Sequence, residues 1–290
     1  MNDFLFSAKG FLFSKKGFLF TISIIMFAST LVFFAQSYSK YNSLNETSIV
    51  SSAKAENISL LNEDISFGLR RLFGVSLDAN KSSTAIIFAS GRLSSSPVLS
   101  SALSSYESHI TNKLFPLVSG VKALDFSSIS DGKAEVYFGD SIEFDFAYSS
   151  NEVSIYPVLD KSLLQIDVNL KSYNDINRIG WVVGPVLGST VFNFNFVNDS
   201  NSFNFSQLID PNSLSTLVLY YPDSNIVISF GNISGVVNSG VKISDINGQM
   251  IDYALGAHYS DANVFPIVWN AKLRYSSTGV DSNSMLVIRK

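Results

Sequence analysis

Hydrophobic positions change their rhythm twice along this 290-residue chain. From Phe18 to Ala35 there is hardly any rhythm: apolar residues occupy every face, and no charge falls between Lys16 and Lys40. A helix rises about 1.5 Å per residue, so roughly 18 such residues reach most of the way across a ~30 Å hydrocarbon layer. The pattern predicts a transmembrane helix over residues 18 to 37, preceded by a basic leader or cytoplasmic tail over 1 to 17. Beyond it, Val50, Ala53, Ile58, Leu61, Ile65, Leu69 and Leu72 recur mostly at three- and four-residue steps, the mark of an amphipathic helix. A helical stalk over 38 to 75 follows, with Glu46, Lys54, Glu56, Glu63, Asp64 and Arg70 on its polar side. Its apolar stripe has to be covered, either by the domain that follows or by neighbouring stalks.

Ser96-Pro97 has the chemistry of a helix start, and Val98, Ala102, Tyr106, Ile110 and Leu114 share one face before Pro116, which predicts a second helix over 97 to 115. From about residue 121 the period becomes two. Ala134, Val136 and Phe138, then Gly139-Asp140, then Ile142, Phe144 and Phe146 read as a β-hairpin. The same alternation recurs around Leu164 to Leu170, Phe192 to Phe196, Leu217 to Tyr221, Ile226 to Phe230 and Ile267 to Leu273. Each strand has one apolar face, so the expected class is α+β, mainly β, with antiparallel sheets packed as a β-sandwich. The Gly180, Gly184, Pro185 and Gly188 cluster marks either a domain boundary or a turn within one sandwich. A division near 150 separates a small α+β region (76 to 150) from a sandwich-like domain (151 to 290).

Charge gives the chain an orientation. Residues 1 to 40 hold Lys9, Lys15, Lys16 and Lys40 against Asp3 alone, and the positive-inside tendency places that end in the cytoplasm and the bulk outside. The whole chain has 20 basic and 24 acidic residues, which leaves 16 against 23, or −7, for the remainder. A mildly acidic exterior without a basic patch argues against nucleic acid. There is no cysteine, which removes disulfides, thiolate metal sites and thiol nucleophiles together.

The pentad Lys-Gly-Phe-Leu-Phe occurs at 9 to 13 and again at 16 to 20, and only the second copy opens the apolar run. This arrangement resembles the leader of type IV pilins and of archaeal proteins with class III signal peptides. The resemblance implies cleavage after Gly17, with Lys15 and Lys16 as the basic leader end and Phe18 as the first mature residue. Ile22 stands where bacterial pilins carry Glu, which points to the archaeal form. Two other readings fit the same residues: an uncleaved signal anchor, and a secretory signal cut after Ser37 with Ala35 at minus three.

The triplet Asp-x-Asn occurs nine times, starting at Asp78, Asp167, Asp175, Asp199, Asp210, Asp223, Asp245, Asp261 and Asp281, where random placement of 17 Asp and 24 Asn would give about one or two. Asx side chains bond to backbone two residues on, so the first expectation is tight turns between strands. The alternative is calcium, held by oxygens at i and i+2, with Asp199, Asn201, Asp223, Asn225, Asp245 and Asn247 as candidate ligands. The 24-residue spacing of 175, 199 and 223 would gather three such loops on one rim. Sequons at Asn45, Asn57, Asn80, Asn198, Asn204 and Asn232 are compatible with glycosylation of an exported surface, at about the frequency chance allows.

Enzymatic chemistry is sparse. His109 and His258 have no partner at ligand spacing, and Glu143 with Asp145 reads as solvated alternation before it reads as a carboxylate pair. Trp181, Trp269, Tyr220 and Tyr221 are core aromatics or a sugar platform. The expectation is therefore a non-enzymatic, membrane-anchored surface protein, pilin-like and structural or adhesive. The lipid membrane and copies of itself or other pilin-like subunits are the expected partners, with no cofactor required. The alternative is an anchored calcium- or glycan-binding β-sandwich module.

Overall fold

The computed structural model describes residues 15–82, 84–93, 98–118, 121–126, 129, 132–158, 161–233, 239–246, 250–277 and 280–288. The chain divides into two units between Glu56 and Asn57. The described part of the first is the leading portion of one long helix, α1 (Lys15–Phe73). Met26, Phe27, Leu31, Phe33 and Phe34 are all exposed there, and no residue of its most apolar 18-residue window is buried. The hydroxyls within this stretch turn back on the helix: Ser29 Oγ donates to the Ile25 carbonyl at 2.7 Å and Thr30 Oγ1 to the Met26 carbonyl at 2.8 Å. Such bonds satisfy a hydroxyl where no water is available.

The second unit begins inside the same helix. Ile58, Leu61, Ile65, Leu69 and Phe73 are buried in the core of the β-domain, while Val50 and Ala53, upstream on the expected stripe, are exposed. The chain covers its own stripe from residue 58 onward. Asn62 reaches sideways from α1 to a sheet edge, donating to the Met285 carbonyl at 3.2 Å and accepting from the Val287 N–H at 3.0 Å. It thereby stands in for a neighbouring strand on an edge that would otherwise be open. The helix stops at Gly74, whose φ of +61° is left-handed. Val75 N–H bonds to Arg70 O and Gly74 N–H to Arg71 O, the paired bonds of a Schellman C-cap.

Among the described residues, sixteen strands then make two sheets. The six-stranded sheet runs in the order β1 (Ser76–Lys81), β2 (Thr84–Leu93), β14 (Ile251–Ser260), β7 (Leu163–Ser172), β9 (Thr190–Val197), β10 (Ser202–Ile209). The ten-stranded sheet runs β16 (Val280–Ile288), β15 (Ile267–Ser277), β4 (Ala134–Phe138), β5 (Ile142–Ala147), β6 (Glu152–Pro157), β13 (Ser239–Ile246), β12 (Asn225–Asn232), β11 (Ser215–Tyr220), β8 (Arg178–Val183), with β3 (Val121–Asp125) also on β15. Inner-face residues of both sheets belong to one continuous core. Phe192 of β9 stacks on Phe230 of β12 with ring centroids 4.3 Å apart, and Trp181 of β8 packs edge-on to both.

The fold is α+β and mainly β, as the periodicities predict, and the β4–β5 hairpin has the expected partners, from Ala134↔Phe146 to Phe138↔Ile142. One pairing departs from the antiparallel expectation. β7 and β9 run parallel because β8, between them in sequence, crosses to the other sheet and sends the chain back in its original direction. The division near 150 does not coincide with a structural one: β5 pairs with β6, β2 with β14 and β4 with β15, so both sheets draw strands from either side of it. The Gly180 to Gly188 cluster is β8 and its return to the first sheet.

The second helix, α2 (Val98–His109), continues as a π-helical turn (Ile110–Leu114) and a 3-10 turn (Phe115–Leu117); the expected Ser96-Pro97 start lies outside the described residues. Leu103, Ile110 and Phe115 are buried.

Candidate functional site

The Asp-x-Asn residues divide into two groups. Asp175, Asp199, Asp210, Asp223 and Asp261 lie between strands, whereas Asp78, Asp167, Asp245 and Asp281 lie within them. The turn chemistry is visible at Asp210, whose carboxylate accepts from Asn212 N–H at 3.0 Å and Ser213 Oγ at 2.6 Å. Three loops do meet at one end. Asn198 Nδ2 donates to the Asn174 carbonyl at 3.3 Å and to Asp175 Oδ1 at 3.4 Å, and Asn177 N–H to the Tyr220 carbonyl at 2.7 Å, next to the Asp223 turn. Of the proposed calcium ligands, Asp199, Asn201 and Asp223 are exposed, Asn225 is half-buried, Asp245 is buried in β13, and Asn247 lies outside the described residues.

Among the described residues, the three carboxylates close enough to share an ion are instead Glu135, Glu143 and Asp145. They stand on the outer face of β4 and β5, in a row set by the pairing Glu135↔Asp145. The expectation of a solvated pair does not hold, since the Glu143 and Asp145 side chains are only 13% and 9% exposed. Lys133 Nζ already fills the cationic role, 3.0 Å from Glu135 and 2.8 Å from Asp145. Tyr156 donates to Asp145 at 2.7 Å and Asn270 to Glu135 at 2.7 Å. Burial first, and then the charge of Asp145, push the Glu143 carboxyl up to about 7. Burial also acts to raise Glu135, yet hydrogen bonds from Lys133 and Asn270 outweigh it and hold the acid below the usual carboxylate range.

The outer face of the six-stranded sheet carries a second constellation, around Asp167. This acid sits in mid-strand on β7, paired with Gly256 of β14 on one side and Asn193 of β9 on the other. Its carboxylate accepts from Gln165 Nε2 at 2.9 Å and Asn193 Nδ2 at 2.7 Å, and lies 3.1 Å from His258 Nε2. One row on, Asn195 Nδ2 donates to Asn169 Oδ1 at 3.3 Å. Asp167, Asn169, Asn193 and Asn195, with Asn204 and Ser206 of β10 and the ring of Phe88 on β2, line a trough of about 500 Å³. Gly256 is opposite both Phe88 and Asp167. A methyl group there would come 3.2 Å from Asp167 Oδ2 and 3.4 Å from Phe88 Cε1, so the glycine keeps open the gap between ring and acid.

The aromatic platform expected at Trp181, Trp269, Tyr220 and Tyr221 is not assembled. Trp269 is buried and donates through Nε1 to Ser66 Oγ at 3.1 Å, and Tyr221 is buried as well. Tyr220 lies under the Arg178 guanidinium at 4.2 Å. His109 is exposed, whereas His258 gains its acid partner from 91 residues away. Of the sequon asparagines, Asn45, Asn57, Asn80, Asn204 and Asn232 are exposed. Asn198 is not a free acceptor: it is 7% exposed, and its Oδ1 takes the backbone N–H groups of Ser200 and Asn201.

The Asp-x-Asn pattern predicts a turn at Asp167, whereas the Leu164 to Leu170 alternation predicts the strand that is found, and neither pattern marks Asn193 or Asn195. The available signal was the run Val-Phe-Asn-Phe-Asn-Phe, 191 to 196, whose inward positions are aromatic and whose outward ones are amides. No protein family, curated protein or solved structure matches the chain.

Proposed function

We propose that this is a non-enzymatic cell-surface subunit of pilin-like layout, anchored in a membrane through the first half of α1, with its N-terminus in the cytoplasm and its β-domain outside. The observation that carries this reading is the apolar helix window, none of which is buried among the described residues. An uncovered stretch of Phe, Ile, Leu and Met is unstable in water and needs either lipid or the same helices of neighbouring copies around it. The back-bonded hydroxyls of Ser29 and Thr30 fit such a medium. Lys15 and Lys16 ahead of the span favour the cytoplasmic end. Processing between Gly17 and Phe18 would release the helix for lateral packing in a filament.

Two measurements test the reading. Alkaline extraction should leave the full chain in the membrane pellet, and protease added to intact cells should remove the β-domain; release to the supernatant, or complete protection of that domain, overturns it. Sequencing the mature N-terminus then separates the versions: Phe18 for the pilin-like one, Met1 for a plain anchor, Tyr38 for a secreted domain.

A further inference from the structure

We propose that the trough around Asp167 is a binding site for a neutral, hydroxyl-rich saccharide chain. This deepens the adhesive form of the reading above and rests on the β-domain facing outward, where such polymers are met.

Three features of the trough distinguish it from an ordinary solvated sheet face. First, Asp167 is only 24% exposed and is fixed by Gln165, Asn193 and His258. Both Asp167 oxygens are taken up by these neighbours, Gln165 Nε2 reaching each of them, so the acid serves to fix the Asn193 amide in one orientation at the trough wall, at the expense of that side chain's rotamer freedom. Second, the other polar groups are amides and a hydroxyl at Asn169, Asn193, Asn195, Asn204 and Ser206. Each amide offers a donor and an acceptor, which matches a sugar hydroxyl, itself both. Third, Phe88 is a large aromatic left 46% exposed beside this polar row, and Gly256 holds a slot open between it and Asp167. A pyranose ring presents an apolar C–H face and polar edges, so it suits a site with an aromatic on one wall and hydrogen-bonding groups on the other.

Charge selects among saccharides. Among the described residues, Asp167 is the one charged residue lining the trough, and its field opposes uronic, sialic or sulfated units. The occupant is therefore a neutral chain, long enough to run along the sheet past β7, β9 and β10.

The test uses the full chain in a non-glycosidic detergent, so that the micelle itself offers no sugar, on an array of neutral glucan, mannan and chitin oligosaccharides beside uronic and sulfated ones. Retention of at least one neutral class is expected, with binding about tenfold weaker for Phe88→Ala and for Asn169→Ala and with unfolding temperatures unchanged for both exposed positions. Should Phe88→Ala not fold, Asn169→Ala decides alone. Retention of no neutral class, retention confined to acidic members, or binding that survives the variants overturns the proposal. None of these outcomes depends on where the cell places the chain, so failure here leaves the anchoring experiments to stand or fall separately.

Discussion

At Glu143 the fold raises an acid's hold on its proton, and the consequence is measurable. The folded chain favours the protonated form up to about 7, whereas the unfolded chain releases the proton in the ordinary carboxylate range. Between those limits the folded state binds more protons, so its stability is greatest below the window and declines as pH rises through it. Lys133, Glu135, Asp145 and Tyr156 face the same carboxyl; Glu135, held low, loses its contribution only at more acidic pH. The expected outcome is an unfolding temperature that falls between pH 5 and pH 8, and a flatter dependence for Glu143→Gln. An unchanged slope in that variant, measured by calorimetry, would refute the assignment. Asn198 allows a second test at this scale. Because its carboxamide closes the β9–β10 turn from a buried position, glycopeptide mapping should find any glycans at the exposed sequons and none at Asn198. Neither expectation could be read from sequence. The 143/145 pair has the alternation of a solvated strand, and only the neighbours brought from Lys133, Tyr156 and Asn270 take it out of water.

Among the elements, α1 carries two environments in one continuous helix. Upstream, Leu31 is exposed; downstream, Leu69 is wholly buried in the β-domain core. Leu69→Ala should lower the stability of the β-domain by about 2–5 kcal/mol, the range for a large-to-small change in a packed core, while Leu31→Ala should leave it unchanged. Equal effects in chemical denaturation would contradict the assignment of the helix to two surroundings. The helix, its stripe and the hairpin around Gly139 were legible because each is written in a local period. The β7–β9 parallel pair was not, since it depends on β8 joining the other sheet, a decision made by packing across the core rather than by any residue in β7 or β9.

For the whole molecule, the prediction is retention in the membrane after alkaline extraction, since the most apolar window of α1 is unburied among the described residues. Sequence alone determined the class of each segment: an apolar rod, an amphipathic continuation, and strands with one greasy face, all consequences of hydrophobic periods that act over a few neighbours. It also determined the absence of thiol chemistry, which is a matter of composition. Tertiary structure alone decided which polar residues meet. Asp167 and His258 are 91 residues apart, and Asp167 and Asn193 are 26 apart; a site of this kind is set by strand order, and strand order follows from how the inner faces of both sheets fill one common core.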